Sequence, residues 1–257
     1  MSETADLQRK PRSGLTDQVV VIAGGMGAIG QATAVRYAHL GAHVVVVHRG
    51  TEAAAMEFLA TLPGSHHQVV ASITDSAQLK LAADSVRAKF GRADILVNTA
   101  GFTKPVPAAD LEALTDELID EIFAANWRGV FATIRAFHPL LRESSDGLVV
   151  NVSSIAGVTG VGSNIAYAAA KAGIDVLGKS LARSLAPAVR VLTVSPGVVD
   201  STFVPGRGPD FNQKTAATMP LRRVGTPEDV AAAIEACATT LRFSTGNTIV
   251  VDGGRSL

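Results

Sequence analysis

From residue 18 onward, short uninterrupted Val/Ile-rich runs alternate with longer alanine-rich stretches of helical character. The runs lie at 18–23, 43–47, 68–71, 95–98, 148–152, 190–194 and 248–251, and their length and β-branched content predict strands. Val44-Val45-Val46-Val47 carries no alternating polar residue, so both faces of that strand must be covered, as in a parallel sheet. The intervening segments then read as helices.

Helix punctuation supports this division. Gly41 and Gly91 each follow an apolar helical run, where a left-handed residue ends a helix favourably. Asp75 with Gln78, and Thr226-Pro227-Glu228-Asp229, read as helix N-termini, with a capping side chain, proline in the first turn and acids after it. Repeated strand-helix-strand units cross over right-handedly, which predicts an α/β fold with a doubly wound, mainly parallel sheet of about seven strands and helices on both faces. Ligand sites in such sheets lie just after the strands. Residues 15–257 are expected to form a single dinucleotide-binding catalytic domain and the polar segment 1–14 a mobile tail.

Composition narrows the function. Lys plus Arg and Asp plus Glu each number 23 in 257 residues, so no basic field exists to attract nucleic acid or anionic lipid. No run approaches a membrane span and no signal peptide is recognisable, so a cytoplasmic protein is expected. The single cysteine, Cys237, fits a reducing compartment and reads as a small buried apolar residue. The six histidines show no ligand spacing, so no metal is expected.

After the first strand comes Ala23-Gly24-Gly25-Met26-Gly27-Ala28-Ile29-Gly30, leading straight into a helical run. Glycines allow a tight turn and close backbone approach, and the helix N-terminus offers free N–H groups to a pyrophosphate. Gly24, Met26, Gly27, Ile29 and Gly30 are therefore candidate cofactor contacts. The second strand ends in Val47-His48-Arg49-Gly50 with no carboxylate for the ribose hydroxyls of NAD. His48 and Arg49 stand there instead, and Arg49 could pair with a 2′-phosphate or simply face solvent.

Tyr167 and Lys171 are four positions apart in a helical run, which places both on one face, and Ser154 lies just beyond the fifth predicted strand. An adjacent ammonium and an oxidised nicotinamide would both favour a phenolate, so Lys171 is expected to lower the Tyr167 pKa. Tyr167 could then give a proton to a developing alkoxide or take one from an alcohol, with Ser154 holding the oxygen.

Taken together with Asn98-Thr99-Ala100-Gly101, Asn126, Asn151-Val152-Ser153-Ser154, Ser195-Pro196-Gly197, Arg223-Val224-Gly225-Thr226-Pro227-Glu228-Asp229 and Val251-Asp252-Gly253-Gly254, these motifs resemble the short-chain dehydrogenase/reductase family. The likeness is to its 3-oxoacyl-carrier-protein reductase-like and ketone reductase members, from Leu15 to Gly254. The resemblance implies Tyr167 as acid/base, Ser154 rather than Ser153 as substrate-oxygen ligand, and Lys171 as ribose ligand and pKa modulator. It implies Asn126 as anchor of a proton-relay water. It further assigns Ser72 and Ile73 to the adenine, Asn98, Ala100 and Gly101 to the ribose side, and Pro196, Gly197, Val199 and Ser201 to the nicotinamide. Four departures, Ala23, Ala28, Ser72 and Thr99, all fall in the cofactor half and bear on cofactor preference more than on reaction type.

The expected function is hydride transfer between NADP(H) and a ketone or secondary alcohol. The alternatives are an NAD-dependent alcohol dehydrogenase using NAD(H) and a non-catalytic dinucleotide-binding sensor. Segment 199–221 reads as a substrate loop. Its Phe203, Val204, Phe211 and Met219 suggest an apolar pocket, while Arg207 and Lys214 either meet an anionic tail or face water. Trp127 reads as packing. The small residues Ala166, Ala168, Ala169, Ala170, Ala172 and Gly173 permit close helix contact, and the resemblance implies a homotetramer, with a dimer as the lesser assembly.

Overall fold

A computed structural model describes residues 11–257; the greater part of the expected tail, 1–10, lies outside the described residues. Seven strands form one parallel sheet in the order β3-β2-β1-β4-β5-β6-β7. They are β1 (Val19–Ala23), β2 (His43–His48), β3 (His67–Val70), β4 (Ile95–Asn98), β5 (Gly147–Val152), β6 (Val189–Pro196) and β7 (Thr248–Val251). Every run read from the sequence is a strand, with ends differing by at most two residues.

The valine runs are continuous because alternate side chains feed two separate cores. Val20, Ile22, Val44 and Val46 pack against α1 (Ala28–His39), α2 (Glu52–Ala60) and α9 (Pro227–Thr239). Val19, Val21, Val45 and Val47 pack against α3 (Ser76–Phe90), α5 (Gly129–Glu143) and α7 (Ile165–Leu185). Each such side chain, fully buried, stabilises the fold by about 1.5–3 kcal/mol relative to exposure. No helix among the described residues is long and apolar enough to cross a membrane.

The helix ends follow the expected chemistry with one exception. Gly41 and Gly91 both have positive φ, and Thr226 with Asp229 forms a reciprocal capping box with Pro227 in the first turn. Asp75 caps α3 by accepting from the amides of Ala77 and Gln78. Gln78, however, does not complete a box, because its Oε1 accepts from the Ser72 amide at 2.8 Å. The glutamine thereby shapes the turn that leaves β3.

Asp94 locks the opposite edge of the central strands. It is fully buried and accepts from the Val19 amide at 2.8 Å and from Ser144 Oγ at 2.5 Å, beside Arg92. These bonds hold β1, the start of β4 and the end of α5 in register, and so align the strand ends that carry the site.

Segment 199–221 is not all loop. It contains α8 (Phe211–Thr218), whose first turn carries the i,i+4 pair Asp210–Lys214 at 3.6 Å. Val199 and Met219 are buried and anchor the segment at both ends. Trp127 stacks on Phe131 with ring centroids 6.1 Å apart, and a Cβ at Gly173 would meet its indole at 2.7 Å. Part of the small-residue face of α7 therefore serves packing within the chain, where Ala166, Ala168 and Ala170 are also buried.

Candidate active site

β5 delivers Ser153 and Ser154 past its last residue, and their hydroxyls go to different partners. Ser153 Oγ donates to the Lys171 carbonyl oxygen at 3.0 Å. Ser154 Oγ accepts from the Ala156 amide at 3.2 Å, at the start of the short helix α6 (Ala156–Thr159), and is near enough to the Tyr167 phenol to pull its pKa downward. Of the two serines, Ser154 is thus the one beside the phenol.

α7 presents Tyr167 and Lys171 one turn apart. Its start is fixed by Asn164, a residue that sequence reasoning passed over. Asn164 Oδ1 accepts from the Tyr167 amide at 2.7 Å, and its Nδ2 donates to the Lys104 carbonyl oxygen at 2.8 Å. One buried amide therefore caps the helix and clamps segment 103–106, which Val106 N to Ser163 O and the Thr103–Ser163 hydroxyl pair also hold. An asparagine just before an apolar helical run was the available signal.

Lys171 is buried, with Nζ donating to the Val152 carbonyl oxygen at 2.9 Å and lying 5.6 Å from the Tyr167 ring centroid. Burial lowers its pKa to about 8, with Asp175 one turn on pulling it upward. Burial raises the Tyr167 phenol to about 12, opposed first by its hydrogen bond with Ser154 and then by the charge of Arg207. Without a cofactor the net shift of Tyr167 is upward because desolvation dominates, and the Lys171 ammonium sits against Val152 O. The phenol is a neutral acid at neutral pH.

Asn126 occupies a π-helical turn, 124–128, between α4 (Asp116–Phe123) and α5. Its Nδ2 donates to the carbonyl oxygens of Ile122 at 2.9 Å and Phe102 at 2.6 Å, and its Oδ1 accepts from Phe102 N at 3.3 Å. A side chain inserted into the helical ladder at residue i−4 accounts for the widened turn. The Asn126 side chain is fully engaged, so any water it anchors would have to use its main chain.

The glycine turn forms a cradle. Gly24 has φ +82°, and a Cβ there would lie 2.6 Å from Ala100 N; a Cβ at Gly30 would collide with the Gly24 carbonyl oxygen. Thr99, a departure from the family pattern, donates to the carbonyl oxygens of Ala23 at 2.9 Å and Gly24 at 3.2 Å and so braces the turn. Gly27 is the extended N-cap of α1 with no side chain bonded to the helix start, and Ala28 is its first residue. At the carboxyl ends of β4, β5 and β6, Asn98 Oδ1, Asn151 Nδ2 and Ser195 Oγ are buried without partners among the described residues, while Asn98 Nδ2 donates to Asn151 Oδ1 at 2.9 Å. Each unpartnered buried atom costs about 1–3 kcal/mol. A cradle open only to backbone and a row of unpaired polar atoms fit a dinucleotide.

His48 and Arg49 lie beside this turn, since Gly24 N donates to Val47 O at 2.9 Å. The two part company there. His48 is buried with Nε2 2.9 Å from Gln68 Oε1, whereas Arg49 is exposed. Ser72 and Ile73 follow β3, where Ser72 Oγ lies 2.9 Å from Thr74 Oγ1 and Ile73 packs over Gly129.

A cleft of about 830 Å³ joins Ile29, Gly101, Ser154, Tyr167 and Lys171 with Pro196, Gly197, Val199 and Ser201. Phe203, Val204 and Phe211 line it as expected. Met219 does not, being buried against Gly253. Arg207 lines the cleft, and Lys214 does not.

The chain matches a family model described as enoyl-(acyl carrier protein) reductase over residues 24–256. It is 38% identical to a ketoacyl reductase of the granaticin polyketide synthase of Streptomyces violaceoruber, over 93% of this chain and 96% of that protein. It is 31% identical to levodione reductase of Leifsonia aquatica, over 96% and 97%. Among solved structures, one from Burkholderia xenovorans described as a short-chain dehydrogenase/reductase superposes with a TM-score of 0.86 at 32% identity, over 95% and 98%. A levodione reductase crystal structure gives 0.87 at 29%, over 94% and 98%.

Proposed function

The chain belongs to the short-chain dehydrogenase/reductase family, and on that premise we propose that it reduces a ketone to a secondary alcohol with NADPH, using Tyr167 as the acid. It is an oxidoreductase of carbonyl or alcohol groups that works with a nicotinamide cofactor. The observation that carries the finer reading is that Ser154, the Tyr167 phenol and buried Lys171, one turn further along α7, line one cleft. We read residues 15–257 as one catalytic domain with 199–221 as its substrate segment.

A bound nicotinamide dinucleotide supplies or takes up the hydride. Gly24, Met26, Gly27, Ile29 and Gly30 would hold its pyrophosphate through the turn and the free start of α1. Asn98, Ala100, Gly101 and Lys171 would take its ribose side, Ser72 and Ile73 its adenine, and Pro196, Gly197, Val199 and Ser201 its nicotinamide. Among the described residues Asn98 Oδ1 has no partner, which supports its place in that set.

The Ser154 hydroxyl and the Tyr167 phenol converge on one point, where a substrate carbonyl oxygen would accept from both. As that oxygen gains negative charge, the neutral phenol hands over its proton. Burial raises the phenol to about 12, so Tyr167 is neutral and carries its proton before reduction begins. Lys171 then stabilises the phenolate that remains, and a water held by the Asn126 main chain would return the proton. In the reverse direction the phenol must first ionise, which favours reduction near neutral pH.

The matched family description names reduction of an enoyl group, whereas the relatives are named for reduction of ketones. A serine and a phenol aimed at one oxygen suit a carbonyl better than a carbon–carbon double bond, and on that ground we favour the ketone. NADPH is preferred in this reading because exposed Arg49 ends β2 beside the glycine turn and no carboxylate there opposes a 2′-phosphate. The NAD(H)-linked dehydrogenase remains the second reading. For assembly we propose a homotetramer, supported by the exposed stripe of Ile165, Ala169 and Val176 along α7. Light scattering should return the mass of four chains, and the mass of one chain would contradict it.

Two substitutions test the chemistry and the cofactor. Tyr167→Phe should lower ketone reduction by about a hundredfold to ten-thousandfold while NADPH, titrated by its fluorescence, binds as before. Turnover at the parental rate would sink the mechanism. Arg49→Ala should cost about tenfold in kcat/KM with NADPH and little with NADH. An unchanged preference would make Arg49 an ordinary surface arginine.

A further inference from the structure

The cleft carries an imbalance of charge that ketone reduction alone does not require. Lys104, Arg207 and Arg255 line it together with Lys171, and among its described lining residues there is no Asp or Glu. The chain as a whole is neutral, so this is a local arrangement. Lys171 is turned inward to Val152 O, and Lys104 and Arg255 are exposed.

Arg207 is different. It is half-buried, and its guanidinium carbon lies 4.4 Å from the Phe211 ring centroid, a contact that favours one orientation of the charged plane. Nη1 donates to the Val199 carbonyl oxygen at 3.1 Å, which fixes one corner of the fork. Among the described residues no carboxylate lies within ion-pair distance of it. Asp200, the acid whose charge reaches it, has Oδ1 bonded to Asn212 Nδ2 at 2.7 Å. The Arg207 charge is felt at the Tyr167 phenol, and both side chains line the same cleft.

We propose that Arg207 is a specificity-determining residue that pairs with a carboxylate of the substrate, making the preferred substrate an oxo-carboxylate whose ketone reaches Ser154 and Tyr167. A guanidinium held by one hydrogen bond and one stacked ring keeps further N–H groups in a planar fork that matches a carboxylate. Phe203, with its ring 6.1 Å from that of Tyr167, lies against the phenol and offers apolar cover for the short carbon chain between the two groups. Lys104 and Arg255 at the rim draw the anion in without fixing it.

This inference rests on the ketone-reductase reading, and the test separates the two. Initial rates are measured with 4-oxopentanoate and with its methyl ester, which share the ketone and differ in charge. The acid should exceed the ester in kcat/KM by about tenfold to a hundredfold. That ratio should fall to near one in Arg207→Met, take an intermediate value in Arg207→Lys, and change little in Lys104→Ala and Arg255→Ala. A parental ratio near one, a ratio unmoved by Arg207→Met, or selectivity that follows Lys104 or Arg255 would overturn the proposal. So would a loss of NADPH affinity in Arg207→Met with the ratio intact, since the arginine would then serve the cofactor. If neither ketone is reduced by the parental protein, the reductase reading fails, and calorimetric titration with the same two compounds judges Arg207 alone. Tighter binding of the acid that Arg207→Met abolishes supports the carboxylate site, and equal binding of acid and ester refutes it.

Discussion

Burial of a phenol and an ammonium one helical turn apart is the constraint on which the site depends. Tyr167 and Lys171 are held where water does not solvate their charged forms, so the phenol keeps its proton and the amine holds its own less firmly. Such an arrangement would be unstable without partners. Val152 O receives the ammonium, Ser154 stands beside the phenol and favours its ionised form, and Asn164 fixes the helix end from which both project. All three partners stand at the carboxyl end of β5 or at the start of α7, and both places are set by the central sheet.

That sheet was legible because strands covered on both faces leave continuous apolar runs. Val44 to Val47 could be read as a strand before any partner was known, and the two cores explain why no polar residue interrupts it. Features set by distant contacts were not legible. α8 lies in a segment without a clear helical period, and its ion pair of Asp210 with Lys214 is too weak a signal to stand out. At the π turn the Asn126 side chain enters the helical ladder at Ile122, and it is held there by bonds to Phe102, 24 positions away in the chain. Gln78 was available for a capping box, yet the Ser72 amide takes its side chain.

The candidate site divides in the same way. Tyr167, Lys171 and Ser154 could be placed together from helical spacing and strand position, and Ser154 lies next to the phenol while Ser153 turns to the α7 backbone. The direction of the Tyr167 shift could not be read, because spacing reports the neighbouring charge and says nothing of the depth of burial. Thr99 and Ala28, which depart from the family pattern, have local explanations: one braces the glycine turn and the other opens α1. Arg207 and Lys214 were equivalent as letters. The fold separates them, sending one into the cleft and the other to an exposed pair with Asp210.

Burial holds the Tyr167 phenol neutral well above neutral pH. The chain has two tyrosines, Tyr37 and Tyr167, and burial pushes both upward. In Tyr37→Phe only Tyr167 remains, so ultraviolet difference absorbance of tyrosinate on raising the pH of the folded, cofactor-free protein reports it alone. No tyrosinate signal is expected through pH 10, about the midpoint of an unperturbed phenol. A transition centred at or below that pH while the protein stays folded would contradict it.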